Sequence, residues 1–294
     1  MMRPTELIFE LADELASAGF PSPGSDARLL VAEACDTDVS ELLTRWEITP
    51  DEAQRARALT RRRVEGEPVQ HITGKAYFRY ETLLVGPGVF IPRTETELLA
   101  GKAIEMLAAR PSDRRRVVEL CAGSGAIIRS IVRELGGVEA FANERSTDAE
   151  PWLRRNLADV DVTVEIGDMA TAFPELNATV DLVVTNPPYV PDRLRETLPT
   201  DVVGRDPDDA LFAGPDGLGA MPVVATTAAR LLRPGGVVVV EHDESHQPGV
   251  IEVFQQAGFA ALEGHRDLAG RDRFVTAEWV GSSVDSKWQD SFRE

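Results

Sequence analysis

The chain has 294 residues, 43% hydrophobic and 27% charged, which is enough for a full core and for two domains of ordinary size. Against 31 basic side chains stand 49 acidic ones, a formal net charge of −18, which argues against a large nucleic-acid footprint and is compatible with a basic protein partner. Cys35 and Cys121 are the only cysteines and the four histidines are scattered without HExxH spacing, so neither a disulfide framework nor a metal site is expected.

Residues 1–73 read as a small helical bundle. Leu7, Ile8, Leu11 and Leu15 recur at helical spacing, Pro21-Ser22-Pro23-Gly24 breaks the pattern, and Ser25 or Asp26 is placed to cap a helix carrying Leu29, Leu30 and Val31. Ser40 to Trp46 and Pro50 to Val64 supply two more helices, and Arg61-Arg62-Arg63 reads as a solvated face. Glu6, Glu10, Asp13 and Glu14 interrupt the apolar positions that a signal peptide would need. No apolar run reaches the ~18 residues of a membrane span. A reducing cytoplasm is therefore the expected location, with no membrane contact, and nothing asks for an obligate dimer, so a monomer is expected.

Residues 74–94 change character. Tyr77, Phe78, Tyr80, Leu83, Leu84 and Val85 precede Gly86-Pro87-Gly88 and Val89-Phe90-Ile91, and aromatic and β-branched residues around a Pro-Gly turn predict a linking hairpin. Thr94-Glu95-Thr96-Glu97 reads as a helix start with a Thr cap and early carboxylates.

From 95 to 280 the rhythm is strand, turn, helix. Strands are predicted at Arg116–Leu120, Val138–Ala142, Val162–Ile166, Leu182–Thr185, Val237–Glu241 and Phe274–Glu278, with helices at Ile127–Leu135, Glu150–Leu157 and Met221–Leu232. The alternation implies an α/β fold, a doubly wound and mostly parallel sheet with helices on both faces. Residues 281–294, rich in Ser and charge, have little to bury and are expected to be disordered.

Two stretches carry chemistry. The first is Glu119-Leu120-Cys121-Ala122-Gly123-Ser124-Gly125, at the first strand-to-helix turn, where Gly123 and Gly125 permit a tight turn and close backbone approach to a ligand. Glu119 at the strand end suits an ammonium or sulfonium, Glu144 after the second strand suits ribose hydroxyls, and Asp168 after the third suits an adenine amine. S-adenosylmethionine fits these better than NAD, because Ile128 occupies the last glycine position of a dinucleotide fingerprint.

The second is Asn186-Pro187-Pro188-Tyr189, beyond the end of the fourth strand. An amide or aromatic amine nitrogen is a poor nucleophile because its lone pair is delocalised, so a methylating site must hold both N–H groups and aim the lone pair. The Asn186 oxygen is suited to accept one N–H and the Pro187 carbonyl the other, with two fixed-φ prolines holding that carbonyl outward and Tyr189 stacking on the planar group. The plainer alternative is a proline-stiffened turn with Asn as turn former and Tyr as packing.

With these residues in hand, the chain resembles the class I methyltransferases that modify the amide nitrogen of a glutamine in peptide-chain release factors. The likeness extends to Glu67-Pro68 through Ile72-Thr73-Gly74 and Phe78, to Val89 through Leu99, to Asp206-Pro207, Ala210-Leu211, Gly214 and Asp216-Gly217-Leu218, and to Asp267 through Arg273. It implies a Rossmann-like S-adenosylmethionine-binding domain over 95–280, a hairpin linker over 74–94, and an N-terminal helical domain over 1–73 that docks the release factor. It places the cofactor turn on Cys121, Ala122, Gly123, Ser124 and Gly125, the ribose acid on Glu144, the adenine side on Met169 beside Asp168, and the glutamine site on Asn186, Pro187, Pro188 and Tyr189. Asn186, Pro187 and Tyr189 are then the catalytic residues, with Asn186 also beside the cofactor.

Departures from the family pattern are Cys121 for a common glycine, Glu119 and Glu144 for aspartates, Thr94 for a proline, Met169 for an aromatic residue, and Glu241-His242-Asp243-Glu244 for Glu-Ile-Gly. An adenine amino-methyltransferase acting on DNA or RNA would use the same tetrapeptide on a flipped base, but the acidic balance opposes it. A binding module that kept the fold without catalysis is a further alternative, opposed by the intact Asn186 and Tyr189.

Overall fold

A computed structural model of the protein describes residues 2–42, 44–111, 115–195, 197 and 205–281. The expected tail, 281–294, lies outside the described residues except for Gly281. The chain forms two compact units: the first comprises the described residues of Met1–Ala76, Leu84–Ile91 and Leu198–Pro207, and the second those of Tyr77–Leu83, Pro92–Thr197 and Asp208–Glu294.

The first unit contains helices α1 (Pro4–Ser17), α2 (Pro23–Ala34), α3 (Val39–Leu42), α4 (Pro50–Val64) and α5 (Val69–Thr73). Leu7, Leu11 and Leu15 of α1, Leu30 and Val31 of α2, and Ala56 of α4 close a shared core, the i, i+4 spacing read from the sequence. At the start of α4 the Thr49 hydroxyl accepts the Glu52 N–H while the Glu52 carboxylate accepts the Thr49 N–H, a reciprocal cap. The triple arginine is not one solvated face. Arg63 turns inward, stacks its guanidinium 4.0 Å from the centre of the Phe20 ring and pairs with buried Asp26 at 2.8 Å, whereas Arg62 stays exposed and pairs with Glu67.

Strands β1 (Lys75–Phe78) and β2 (Glu81–Leu84) pair as a two-stranded hairpin. Its turn is Arg79-Tyr80, with Arg79 in the left-handed region at φ 52°, and Gly86-Pro87-Gly88 follows the hairpin instead of closing it. The Arg79 guanidinium is held by Glu134 at 2.6 Å through two nitrogens, a tertiary contact that no local pattern announces.

The second unit holds α6 (Thr96–Ala108), β3 (Arg115–Leu120), α7 (Ala126–Leu135), β4 (Val138–Glu144), α8 (Glu150–Asn156), β5 (Val162–Ile166), β6 (Val180–Thr185), α9 (Asp208–Leu211), α10 (Met221–Leu231), β7 (Leu232–Glu241), α11 (Gln247–Gln256), β8 (Phe259–Arg266) and β9 (Asp272–Trp279). The sheet runs β5-β4-β3-β6-β7-β9-β8, parallel from β5 through β7, with β9 antiparallel to both of its neighbours. Strand residues alternate between two cores. Val118, Val183, Val238 and Val240 meet α10 and α11, while Val117, Leu182, Val184 and Val239 meet α6 and α7, so the central strands are apolar on both sides.

The helix expected over Ser40 to Trp46 is only the short α3, with Thr44 to Trp46 outside it, and two features of the second unit also depart from the predicted elements. β7 begins at Leu232 and carries Arg233-Pro234-Gly235-Gly236 as an irregularity in its pairing with β6, where Val180 faces Leu232 but Leu182 faces Val237. Strand β8, unmarked in the sequence reading, contains Ala260, Ala261 and Gly264, weak strand formers that pairing with β9 at the sheet edge recruits.

Asp26→Ala should cost the folded state about 3 kcal/mol, because it leaves the buried Arg63 charge without its carboxylate. Thr49→Ala, which removes only a cap, should cost about 1 kcal/mol. Urea unfolding of both variants checks the ratio.

Candidate functional site

The site is assembled by strand register. Leu120 pairs with Asn143 on one side and Thr185 on the other, and Thr185 pairs with Val240. One residue further along these strands stand Glu144, Cys121, Asn186 and Glu241, side by side at the carboxyl edge of the sheet. Between β3 and β6 the strand order reverses direction, and in open α/β sheets that is where ligands bind.

The loop from Cys121 to Gly125 is tightly wound. Cys121, Gly123 and Gly125 all adopt positive φ, at 56°, 54° and 78°. The Ala122 N–H is bonded to the Asn143 carbonyl, and Asn156 donates from Nδ2 to the buried Ser124 carbonyl at 2.9 Å. A Cβ on Gly125 would come within 2.9 Å of Leu153, so packing demands glycine there. A Cβ on Gly123 would meet nothing within 4 Å, which leaves that stretch of backbone open to a ligand. Cys121 is the anomaly, a non-glycine held left-handed at a cost of about 1–2 kcal/mol. Burial pushes its thiol up to about 12, so it is not a reactive thiolate, and its sulfur lies 3.8 Å from that of Met169.

The three acids read from the sequence have different surroundings. Glu119 is buried beneath the loop and its carboxylate accepts the Ile128 N–H in the first turn of α7. Burial raises its proton affinity well above the carboxylate range, against the pull of that bond, and Glu144 adds to the rise. Glu144 accepts the Gly123 N–H with one oxygen and the Ser146 N–H with the other, both at 2.7 Å. A carboxylate has about four lone-pair sites, so acceptor capacity remains for ribose hydroxyls. Asp168 is exposed and takes the Ala170 N–H with Oδ1, at the start of the short turn carrying Met169. These positions fit the expected S-adenosylmethionine: open backbone at Gly123, spare acceptors on Glu144, and an exposed acid at Asp168. Among the described residues no three His, Cys, Asp or Glu side chains converge as metal ligands.

Asn186 donates from Nδ2 to the Thr96 hydroxyl at 3.3 Å. Pro187 is buried, and the chain after it is pinned by the Leu211 carbonyl, which accepts from the Tyr189 and Val190 N–H groups. Tyr189 donates from its hydroxyl to Glu241 Oε1 at 3.1 Å. Gly217 crosses so close that an added Cβ would sit 2.4 Å from the Tyr189 carbonyl, and its φ is +79°. The loop through Leu211 and Gly217 therefore braces the tetrapeptide.

Three residues of this arrangement were not read as functional from the sequence. Thr96 lies in the expected helix start, yet α6 has no side-chain cap from either threonine and the Thr96 hydroxyl accepts from Asn186. Glu241 was noted only as part of a departure, and it is a buried carboxylate, 1% exposed, that anchors Tyr189. Arg273, also buried, bears on both Tyr189 and Glu241 through its charge and is paired with Asp267 at 3.3 Å. An acid closing a run of four valines was the available signal for Glu241, since such a strand end is interior.

The profile of the PrmC N-terminal domain family matches residues 6–74. The chain is 44% identical to a protein of Streptomyces coelicolor named release factor glutamine methyltransferase, over 92% of this chain and 96% of that one. It is 40% identical to a protein of the same name from Bifidobacterium longum, over 93% of this chain and 98% of that one. A third relative, from Streptomyces pristinaespiralis, is named 4-amino-L-phenylalanine/4-methylamino-L-phenylalanine methyltransferase and is 39% identical over 86% of this chain and 87% of its own.

No helix among the described residues is long and apolar enough to cross a membrane. Gly217→Ala should lower stability by about 2–4 kcal/mol, combining left-handed strain with a clash against backbone. Gly123→Ala, with open space around it, should show the strain alone, about 1 kcal/mol. Thermal unfolding of the two variants measures the difference.

Proposed function

The chain belongs to the release factor glutamine methyltransferase family, and from that premise we propose that it transfers a methyl group from S-adenosylmethionine to the side-chain amide nitrogen of the glutamine in the Gly-Gly-Gln motif of peptide-chain release factors. The observation that carries this reading is the Asn186 carboxamide. Its nitrogen is engaged by Thr96, so its oxygen is left to accept an N–H, one strand from the open backbone at Gly123.

When bound, S-adenosylmethionine supplies a methyl group activated by a sulfonium sulfur. The loop from Cys121 to Gly125 would hold it together with Glu144 at the ribose and Asp168 and Met169 at the adenine, while Glu119 fixes the loop from below through α7. Asn186 Oδ1 and the Pro187 carbonyl accept the two N–H groups of the glutamine amide, and the two prolines keep that carbonyl from rotating away. Holding both hydrogens fixes the direction of the nitrogen lone pair. Alignment of this kind supplies much of the acceleration in an in-line displacement. Tyr189, its hydroxyl tethered by Glu241, offers its ring to the planar amide. The N-methylated amide is strongly acidic until it loses a proton, which passes to water. The helical unit is assigned to docking of the release factor in the cytoplasm, where it presents the glutamine.

Relatives named for the glutamine reaction make an adenine amino group the disfavoured acceptor. The Streptomyces pristinaespiralis relative makes a free aromatic amine the competitor worth measuring. The test is incubation of the chain and labelled donor with a release factor, with duplex DNA and with 4-amino-L-phenylalanine, followed by mass spectrometry. One added methyl on the Gly-Gly-Gln glutamine is expected. Label confined to DNA or to the free amine would overturn the reading.

The division of labour predicts opposite kinetic signatures. Asn186→Ala should leave donor affinity within about twofold and lower kcat roughly 100-fold or more. Gly123→Ala should weaken donor binding about tenfold, by filling the open side of the loop, with a smaller effect on kcat at saturating donor. Calorimetric titration with donor and steady-state kinetics separate the two.

A further inference from the structure

The loop that meets the methyl donor leans on the end of α8. Leu153, Asn156 and Leu157 stand at i, i+3 and i+4, so they share one face there. A Cβ on Gly125 would lie 2.9 Å from Leu153 and 3.2 Å from Leu157, and Asn156 Nδ2 donates to the Ser124 carbonyl at 2.9 Å. The Gly125 N–H donates to the Ala122 carbonyl at 2.7 Å. The peptide between Ser124 and Gly125 is therefore held at both its oxygen and its nitrogen. Its neighbour Gly123 carries the open backbone, with its N–H on Glu144 at 2.7 Å.

The end of α8 is in turn gripped by Arg129, which projects from the start of α7. Its Nε donates to the Glu81 carboxylate at 2.5 Å, and its Nη1 donates both to the Asn156 carbonyl at 2.5 Å and to the Asp159 carboxylate. Nη2 donates to the second Asp159 oxygen at 3.2 Å. Four of the five N–H groups of a guanidinium are thus engaged. Asn156 is the last residue of α8, where carbonyls run out of helical partners, so Arg129 acts as a cap from a neighbouring helix. Arg133, one turn further along α7, also reaches Asp159. The bond from Arg129, with the charges of Arg129 and Arg133, holds the Asp159 carboxyl down at about 2, so the grip stays ionised at neutral pH.

Asn156 is the joint between the two contacts. Its carbonyl is bound by Arg129, and its side chain binds the loop. Resting on the methyl-transfer reading above, we propose that Arg129 and Asn156 are positioning residues for S-adenosylmethionine: Arg129 fixes the end of α8, and Asn156 passes that placement to the backbone of the cofactor loop. Neither side chain touches the donor. With either one removed, the Ser124 carbonyl loses its fixed partner and the loop spends part of its time in shapes that do not receive the donor. Apparent affinity then falls in proportion to the fraction of chains that remain competent.

Arg129 differs from an ordinary surface ion pair in two respects. The side chains of Arg129 and Glu81 are only 12% and 14% exposed, so water does little to replace the bond between them. The contacts also run on to a functional loop. Arg116 offers the contrast within the same unit, since it sits at the start of β3, away from the carboxyl edge of the sheet, and pairs with Glu139 at 2.8 Å and Thr179 at 2.6 Å. Its partners make no printed bond to the cofactor loop, so its loss should loosen the fold without reaching the donor.

The test compares the full-length chain with Arg129→Gln, Asn156→Ala, the double variant and Arg116→Gln. Donor affinity is measured by calorimetry with S-adenosylmethionine, kcat on a release factor at saturating donor, and thermal midpoint by unfolding. Arg129→Gln and Asn156→Ala should each weaken donor binding about tenfold and leave kcat at saturating donor within about threefold. The double variant should bind little worse than the weaker of the two, because both changes remove one support. Arg116→Gln should keep wild-type donor affinity, even if its thermal midpoint falls as far as that of Arg129→Gln. Wild-type donor affinity in Arg129→Gln, multiplied losses in the double variant, or an equal loss in Arg116→Gln would overturn the inference and leave the proposed function standing. If Asn156→Ala does not fold, Arg129→Gln against Arg116→Gln decides it alone. A wild-type chain that binds no S-adenosylmethionine would overturn the function and the inference together.

Discussion

Parallel register is the constraint on which the rest of the site depends. Glu144, Cys121, Asn186 and Glu241 are scattered over more than a hundred positions of sequence, yet pairing of Leu120 with Asn143 and Thr185, and of Thr185 with Val240, brings all four to one edge. A slip of one residue in any of these ladders would exchange the faces of a strand whose valines alternate between two helical layers. The apolar cores that fix the sheet therefore also fix the chemistry. Burial on both faces makes the register costly to change, and the polar groups one residue beyond inherit that precision.

The interior of the site also holds two buried acidic side chains, Glu119 and Glu241. A lone carboxylate in an interior is unfavourable, and Glu241 accepts the Tyr189 hydroxyl and lies in the field of the Arg273 charge. The Tyr189 bond ties it to the tetrapeptide. Glu119 works in a parallel way on the cofactor side, where a buried carboxylate accepts from the first turn of α7 and ties the glycine loop to its helix. On each side of the switch point, an interior acid is hydrogen-bonded behind the proposed site.

Much of this was legible in the sequence, and the reasons for what was not are specific. The valine-rich strands and the glycine loop announce themselves through local composition, and the resemblance to release factor methyltransferases rested on motifs that local order preserves. Strand β8 escaped because its Ala and Gly residues are recruited by pairing with β9 and not by their own preference. The hairpin turn was misplaced because Gly86-Pro87-Gly88 looks like a turn and Arg79-Tyr80 does not; the left-handed Arg79 is sustained by Glu134, 55 residues away in sequence. Arg63 looked solvated until Asp26, 37 residues earlier, drew it inward. Thr96 and Glu241 escaped for the same reason, since each meets Asn186 or Tyr189 only when folding brings them together.

The most direct measurement is a crystal structure of the chain with S-adenosylhomocysteine and a Gly-Gly-Gln peptide. The account predicts the glutamine nitrogen within about 3 Å of both Asn186 Oδ1 and the Pro187 carbonyl, with Asn186 Nδ2 still on Thr96. A glutamine amide bound elsewhere, or an Asn186 carboxamide turned away from it, would contradict the account.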